Sequence, residues 1–309
     1  MNNIADLLAK KMGYPNLVDD LSSKLSGSEL NTLLLELFRM RAKKITPAEL
    51  LKQFEKNRFA SPSQVDTINF MEFEMRCLNL AKTRGFKPIT LSPLTPFGTC
   101  SAVAFVDQNN VLTSLRGTEV VSDATNVFAM LIAKDLKQKR DHRIIKYAGT
   151  HRHVRSQALS NPAFTAHFGI FCLATGGRDN GSFAFELDQI IQHINVHFSV
   201  FSNEFDLGKE TLLLRIFLKD GNETFHQKLE DVIKAMNKPV ITQIEKQLNP
   251  GDYYQLAQFK FFIVRKGQEI NLSDGGFVDW TQKLISDKKH RLLISRVGTE
   301  LIHKMKHKT

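Results

Sequence analysis

The hydrophobic rhythm of the chain changes near residue 85. Before that point apolar residues recur every three or four positions, the period of an amphipathic helix. Residues 4–12 and 16–25 read this way. Ser28, followed by Glu29 and a leucine-rich run to Phe38, reads as a capped helix start. Thr46, Pro47 and Glu49 supply the next start: Thr as N-cap, Pro at the first helical position, and a Glu that reaches back to the cap. Ser61, Pro62 and Gln64 repeat the device and open a long helix through Phe70, Phe73 and Leu80 that stops near Gly85. The leucine and phenylalanine stripes of these helices are expected to face a core.

After Gly85 the texture becomes strands and turns. Residues 86–91 are strand-like and run into Ser92-Pro93-Leu94-Thr95-Pro96. Residues 102–107 and 111–115, joined by Gln108-Asn109-Asn110, read as a hairpin. A helix over 125–136 follows, then strand-like runs over 143–150 and 164–174. The pattern continues with a helix over 183–201, a strand over 211–218 and a helix over 223–236. A hairpin over 254–272 turns at Lys266-Gly267, Asp274-Gly275-Gly276 reads as a turn, and a strand over 291–295 precedes a helix beginning at Thr299. Hairpins alternating with long helices predict an α+β fold, an antiparallel sheet flanked by helices. The expected division is a helical region over 1–84 and a sheet domain over 85–309.

Composition narrows this picture. The chain has 309 residues, 42% of them hydrophobic and 24% charged, enough for a core of ordinary size. No run of eighteen apolar residues occurs, so no membrane span is expected. The N-terminus lacks a basic then apolar leader pattern, and Cys77, Cys100 and Cys172 are odd in number and widely spaced. Both features lead to the expectation of a cytoplasmic protein with free thiols. The net charge of +10 is compatible with a polyanionic partner, although part of it lies in the tail His303-Lys304-Met305-Lys306-His307-Lys308.

The densest chemistry lies between the two strand-like runs, in His151-Arg152-His153-Val154-Arg155-Ser156-Gln157. Two arginine forks at a strand end are what an anionic group needs, since each guanidinium can donate two parallel hydrogen bonds. His151, His153 and His167 could also gather around zinc, but the neighbouring arginines oppose a cation, and no metal is expected. His193 and His197, four apart on a helix without further metal-binding context, read as surface or interface residues.

In order along the chain, several segments resemble motifs of the class II aminoacyl-tRNA synthetase catalytic core, above all histidyl-tRNA synthetase and its paralogue, the ATP phosphoribosyltransferase regulatory subunit. Arg84-Gly85-Phe86 through Pro93 looks like the first motif, which builds the dimer interface in relatives. Leu115-Arg116-Gly117-Thr118-Glu119 is similar to the segment that lines the amino-acid pocket. His151-Arg152-His153-Val154-Arg155 resembles the second motif, whose arginine grips the α-phosphate of ATP. Gly251-Asp252-Tyr253-Tyr254 resembles the signature that holds the histidine substrate, Gly275-Gly276-Phe277-Val278-Asp279 resembles the family's Gly-Gly-Arg-Tyr-Asp segment, and Val297-Gly298-Thr299-Glu300-Leu301 stands at the third motif.

The resemblance implies a ligand site built from Arg116, Glu119, Arg152, Arg155, Gln157, His167, Asp252 and Tyr253. It also implies a homodimer, and ATP with magnesium as a cofactor if the chemistry is retained. The chain departs from the family at the cations. Leu301 stands where the third motif has an arginine, Phe277 where a second arginine belongs, and Val154 where the second motif has a glutamate. Adenylate formation builds negative charge on phosphorus, and losing two arginines would remove several kcal/mol of its stabilisation. The sequence also ends at Thr309, where relatives continue into an anticodon-binding domain. The expectation is a paralogue that binds a small anionic, amino-acid or nucleotide ligand and does not charge tRNA. The alternatives are an ATP-dependent ligase acting on an amino acid or carboxylic acid for a non-tRNA acceptor, and a nucleic-acid-binding protein.

Overall fold

The structure is a computed structural model that describes residues 4–139, 143–157, 165–245 and 253–307. Five helices come first: α1 (Ile4–Lys11), α2 (Leu17–Ser23), α3 (Gly27–Ala42), α4 (Pro47–Lys56) and α5 (Thr67–Thr83). The α4 cap is the expected one, with Thr46 and Glu49 bonded reciprocally. The α3 cap is Ser26, not Ser28. Ser26 Oγ accepts from the Glu29 amide, and the Glu29 carboxylate accepts from the Ser26 amide at 2.8 Å. Such a box needs a three-residue spacing, which Ser28 cannot offer to Glu29. The long helix starts at Thr67 under an Asp66 cap, not at Ser61. The 57–66 strap instead spends its polar groups on the body of the protein: the Ser61 carbonyl accepts from His167, and Ser63 Oγ donates to Glu300.

Only α5 meets the expectation that the early apolar stripes face a core. It buries Phe70, Phe73, Cys77 and Ala81. In α1 to α4 the only buried residue is Ala9, while Leu33, Leu37, Phe38, Leu50, Leu51 and Phe54 lie exposed. A helical period shows that one face is apolar, not that anything covers it.

The remainder is built on an eight-stranded sheet. Its strands are β1 (Lys87–Pro88), β5 (Ile145–Val154), β6 (His167–Arg178), β7 (Thr211–Leu218), β8 (Ile241–Glu245), β9 (Ala257–Arg265), β10 (Gln268–Val278) and β11 (His290–Val297). They lie in the order β1-β5-β6-β11-β10-β9-β7-β8. The sheet is mixed, which corrects the purely antiparallel expectation. The six inner strands pair antiparallel, but both edges, β1 on β5 and β8 on β7, are parallel. At the second edge the chain leaves β7, crosses through α9 (Glu223–Ala235) and returns as β8. A helical crossover brings a strand back in its original direction, as a tight turn cannot.

Two other readings are corrected. Residues 102–115 form no hairpin: α6 (Thr99–Ala104), a single 3-10 turn and the two-residue β3 (Thr113–Ser114) stand there. The short strands β2 (Leu94–Pro96), β4 (Thr118–Val120) and β3 make a small separate sheet. The start of α6 is set by a distant residue, since the Glu119 carboxylate accepts from the Gly98 and Cys100 amides. Nor do Asp274, Gly275 and Gly276 turn; they run within β10. A Cβ on Gly275 would sit 2.4 Å from Ser295 Cβ, and one on Gly276 2.5 Å from the Tyr254 ring. The glycines therefore permit close approach rather than reversal.

Helices cover both faces of the large sheet. On one face α5, α8 (Ala184–Glu204), α9 and α11 (Thr299–His307) close the larger core. On the other, α6, α7 (Ala124–Lys139) and α10 (Trp280–Ile285) close a second one. None of the described helices is long and apolar enough to cross a membrane.

His193 and His197 are not surface residues. Both are fully buried on the sheet-facing side of α8. Thr175 Oγ1, His193, Ser295 Oγ, His197 and Ser273 Oγ form one hydrogen-bonded chain with links of 2.8 to 3.1 Å. Burial drives both imidazoles toward the neutral form, His197 down to about 3 and His193 well below the ordinary value of 6.5. The unfolded chain therefore takes up protons that the folded chain refuses. This part of the stability is fully present above the unfolded value of 6.5 and is lost as pH falls from there toward the folded values. Urea unfolding at about pH 7.5 and about pH 5 should show a loss of roughly 1 kcal/mol per pH unit for each such histidine. His197→Asn should lower stability at the higher pH and flatten the acid slope by one proton.

Candidate functional site

Two cavities adjoin at the α7 side of the sheet, one of about 150 Å³ and one of about 420 Å³. Arg155, Gln157 and Arg296 form the wall common to both. Three chain segments converge there: the end of β5, the end of β11, and β10 beside it.

Arg296 is the fixed point. Its Nε and Nη2 donate to the two oxygens of Asp274 at 2.7 and 3.2 Å, and its Nη1 donates to Asp123 at 2.7 Å. Tyr254 Oη donates to Asp274 from the other side at 2.9 Å. The other Asp123 oxygen accepts from the Thr125 amide and hydroxyl at the start of α7. Burial opposes ionisation of both carboxyls, but the Arg296 guanidinium outweighs it and holds both below the ordinary aspartate value. Burial likewise opposes the charge on Arg296, and Asp274 and Asp123 together push its pKa well above the ordinary arginine value. The three groups are therefore charged together. No local sequence pattern pointed to Arg296, a second arginine in β11 two residues before Gly298.

Strand alternation separates the two arginines of the second-motif segment, because neighbouring side chains point to opposite faces. Arg155 turns toward the cavities. Its Nε donates to the Ser122 carbonyl at 3.3 Å, its Nη2 lies 3.8 Å from Asp123, and its guanidinium stacks over Phe168 at 5.4 Å. Arg152 turns toward α11. Its Nη1 donates to Glu300 at 2.9 Å and to His167 Nδ1 at 2.8 Å. His167 satisfies both neighbours with one tautomer, since its Nε2–H donates to the Ser61 carbonyl at 2.6 Å. Glu300 also receives Lys304 and Ser63, each at 2.7 Å. Arg152 lines neither cavity, whereas Glu300, Lys304 and Leu301 line the larger one.

The remaining expected site residues scatter. Tyr253 lines the smaller cavity against the Trp280 ring, and burial pushes its phenol up to about 12. Glu119 is buried, with its oxygens accepting from Gly98, Cys100 and Gln108 at 2.8 to 2.9 Å. Arg116 is exposed at a left-handed turn position, where its amide donates to Asn31 of α3. Asp252 lies outside the described residues.

No metal cluster was expected of the histidines, and each ring is engaged separately. His153 is neutral, since burial lowers it to about 3, and its Nε2 accepts from the Ala124 amide. His151 contacts the Ser92 carbonyl. Among the described residues no group of three or more His, Cys, Asp or Glu could hold a metal ion.

The arrangement can bind an anion. Every nearby carboxylate, Glu119, Asp123, Asp274 or Glu300, is already paired or hydrogen-bonded, so none is free to receive an ammonium group. Arg155 and Lys304 keep donor capacity at the rim, while Phe168, Ile170, Leu272 and Leu301 supply apolar wall.

No family model and no curated protein matches the chain. Solved structures do. Apo histidyl-tRNA synthetase from S. aureus superposes with a TM-score of 0.59 at 10% identity, covering 78% of this chain and 67% of that one. A protein from Bacillus halodurans described as an ATP phosphoribosyltransferase regulatory subunit/histidyl-tRNA synthetase gives 0.59 at 12% identity, covering 81% and 82%. Histidyl-tRNA synthetase from Nostoc gives 0.60 at 14%, covering 81% and 74%. The chain therefore has a class II synthetase-like fold, with histidyl-tRNA synthetase, its regulatory-subunit paralogue and threonyl-tRNA synthetase among its structural neighbours.

Proposed function

We propose that this chain is a synthetase-like paralogue that binds a small anionic ligand of the nucleoside-phosphate class in the joined cavities and does not charge tRNA. The observation that carries the reading is that both carboxylates beneath the cleft are already engaged. Arg296 bonds Asp123 and Asp274, Arg155 lies 3.8 Å from Asp123 as a second cation, and Thr125 and Tyr254 donate to the two carboxylates, so the floor offers no carboxylate to the ammonium of an amino acid. A zwitterion entering this site would lose hydration at its ammonium without a partner in exchange, at a cost of a few kcal/mol. An anion meets Arg155 and Lys304 instead, and a planar ring meets Phe168 and Leu301.

The catalytic alternative is disfavoured by two side chains. Leu301 lines the larger cavity and has no donor for a phosphate. Phe277, at the position of the second missing arginine, is 4% exposed and packed into the core, so no cation stands there. Magnesium finds little purchase on this chain, since the carboxylates around the cavities are committed to arginine, lysine and main-chain donors. A nucleotide would bring its own magnesium. The reading includes a homodimer around Pro93, supported by the exposed Leu94 and Phe97 beside the small sheet.

Titration calorimetry with ATP and AMP should show saturable binding. Arg155→Ala should weaken it by about 2 to 5 kcal/mol, the range for breaking a desolvated charge pair. Arg152→Ala should affect binding less and stability more, because it leaves Glu300 with one fewer cation. Equal binding losses would return the anion-gripping role to Arg152. Pyrophosphate exchange with ATP and a pool of amino acids should give no signal above background; exchange dependent on one amino acid would establish the ligase alternative. Light scattering at micromolar concentration should give twice the chain mass, and a monomeric mass would remove the dimer.

A further inference from the structure

Arg291 and Arg296 lie five residues apart on β11, about 17 Å at the rise of an extended strand. The odd spacing puts them on opposite faces of the sheet. Arg296 serves the cleft described above. Arg291 stands at the other end, on the α8 side, beside a third cavity of about 210 Å³.

The charges there do not balance. Arg291 Nε donates to Glu186 Oε1 at 2.7 Å and Nη2 donates to Asp179 at 2.6 Å. Its Nη1 is taken by the Lys288 and His290 carbonyls at 2.9 and 3.3 Å. The guanidinium is thus fully committed, and one cation faces two carboxylates. Glu186 is 3% exposed and lines the cavity, and its Oε2 has no hydrogen-bond partner. A buried acceptor left unpaired is costly and uncommon. The rest of the wall is largely apolar, with the Phe183 and Phe277 rings, Leu256 and Leu292, and the Gln255 and Gln282 amides beside them. A single unpaired carboxylate oxygen in an apolar, ring-lined pocket asks for a cationic donor on an apolar body.

We propose that this cavity is a second ligand site, distinct from the cleft, that takes a primary ammonium carried on a short apolar or aromatic group. The ammonium donates to Glu186 Oε2 and completes the charge balance with Arg291 and Asp179, while the apolar body packs between Phe183 and Phe277. The selectivity is opposite to that of the cleft, which presents cations and has no carboxylate to spare.

The test uses the full chain and two probes of matched shape, benzylammonium and benzyl alcohol, in titration calorimetry at neutral pH. Benzylammonium should bind about tenfold more tightly or better, the worth of one charge-assisted hydrogen bond. Glu186→Gln should erase the difference between the probes. That variant also removes a partner of Arg291, so Gln255→Trp provides an independent check. Gln255 is exposed at the cavity wall, and a bulky ring there should block both probes while leaving the unfolding midpoint unchanged. Arg155→Ala should leave benzylammonium binding intact. Equal affinity for the two probes, no saturable binding, or binding insensitive to both Glu186→Gln and Gln255→Trp would overturn the proposal and leave the cavity to water.

Discussion

Asp123, Arg296 and Asp274 come from the start of α7, the end of β11 and the middle of β10, and they meet beneath the cleft as one ionic unit. Burying three charges is expensive unless each is paired and its remaining hydrogen bonds are met. Here they are: Thr125 and Tyr254 complete the two carboxylates. The unit fixes where α7 begins, holds β10 and β11 in register beside the cavities, and sets the charge of the cleft floor. The same contacts that satisfy it occupy both carboxylates of the floor, which is the ground on which an anionic rather than a zwitterionic ligand is proposed.

A second polar system lies on the other face of the sheet. Glu186, Gln189, His193 and His197 are buried along the sheet-facing side of α8, between largely apolar layers. Its histidines are held neutral by burial and satisfied by serine and threonine hydroxyls from β6, β10 and β11, which specifies the register of α8 against three strands at once. At the Glu186 end the satisfaction stops, with one oxygen unpaired beside a cavity. The bonded histidines serve packing, whereas Glu186 Oε2 and Gln189 Oε1 are left unpaired, and only Glu186 of the two lines a cavity.

The helical lead-in is tied to the cleft by a few polar contacts. Arg58 donates to the Ser156 and Gln157 carbonyls, Ser63 reaches Glu300, and Asn31 receives the Arg116 amide. These bonds place the 57–66 strap against the outer rim of the larger cavity. Through Ser63 and the Ser61 carbonyl the strap also reaches the Glu300 and His167 that engage Arg152 on the side to which strand alternation turns it.

Much of the fold was legible in the sequence, because periodicity and capping chemistry are local. The Thr46–Glu49 box, the α8 and α9 periods, the β7 strand and the ordered motif-like segments all rest on neighbouring residues, and the mostly antiparallel core followed from them. Of the cleft, Arg155, Gln157 and Tyr253 were legible through those motifs. Other features belonged to distant partners. Glu119 makes a helix start where residues 102–107 read as a strand. Close approach by Ser295 and Tyr254, not a turn, accounts for Gly275 and Gly276. The odd, three-residue spacing at the end of β5 assigns Arg152 to Glu300 and Arg155 to the cleft, and nothing nearby in the chain marks Arg296 as the clamp between two aspartates. Helical period showed that α3 and α4 carry apolar faces and that His193 and His197 share one, but burial depends on what packs against a face. Local pattern carries most elements and their amphipathic sides; which sides are covered, which charges meet, and whether a segment such as 102–107 is strand or helix rest on contacts between residues far apart in the chain.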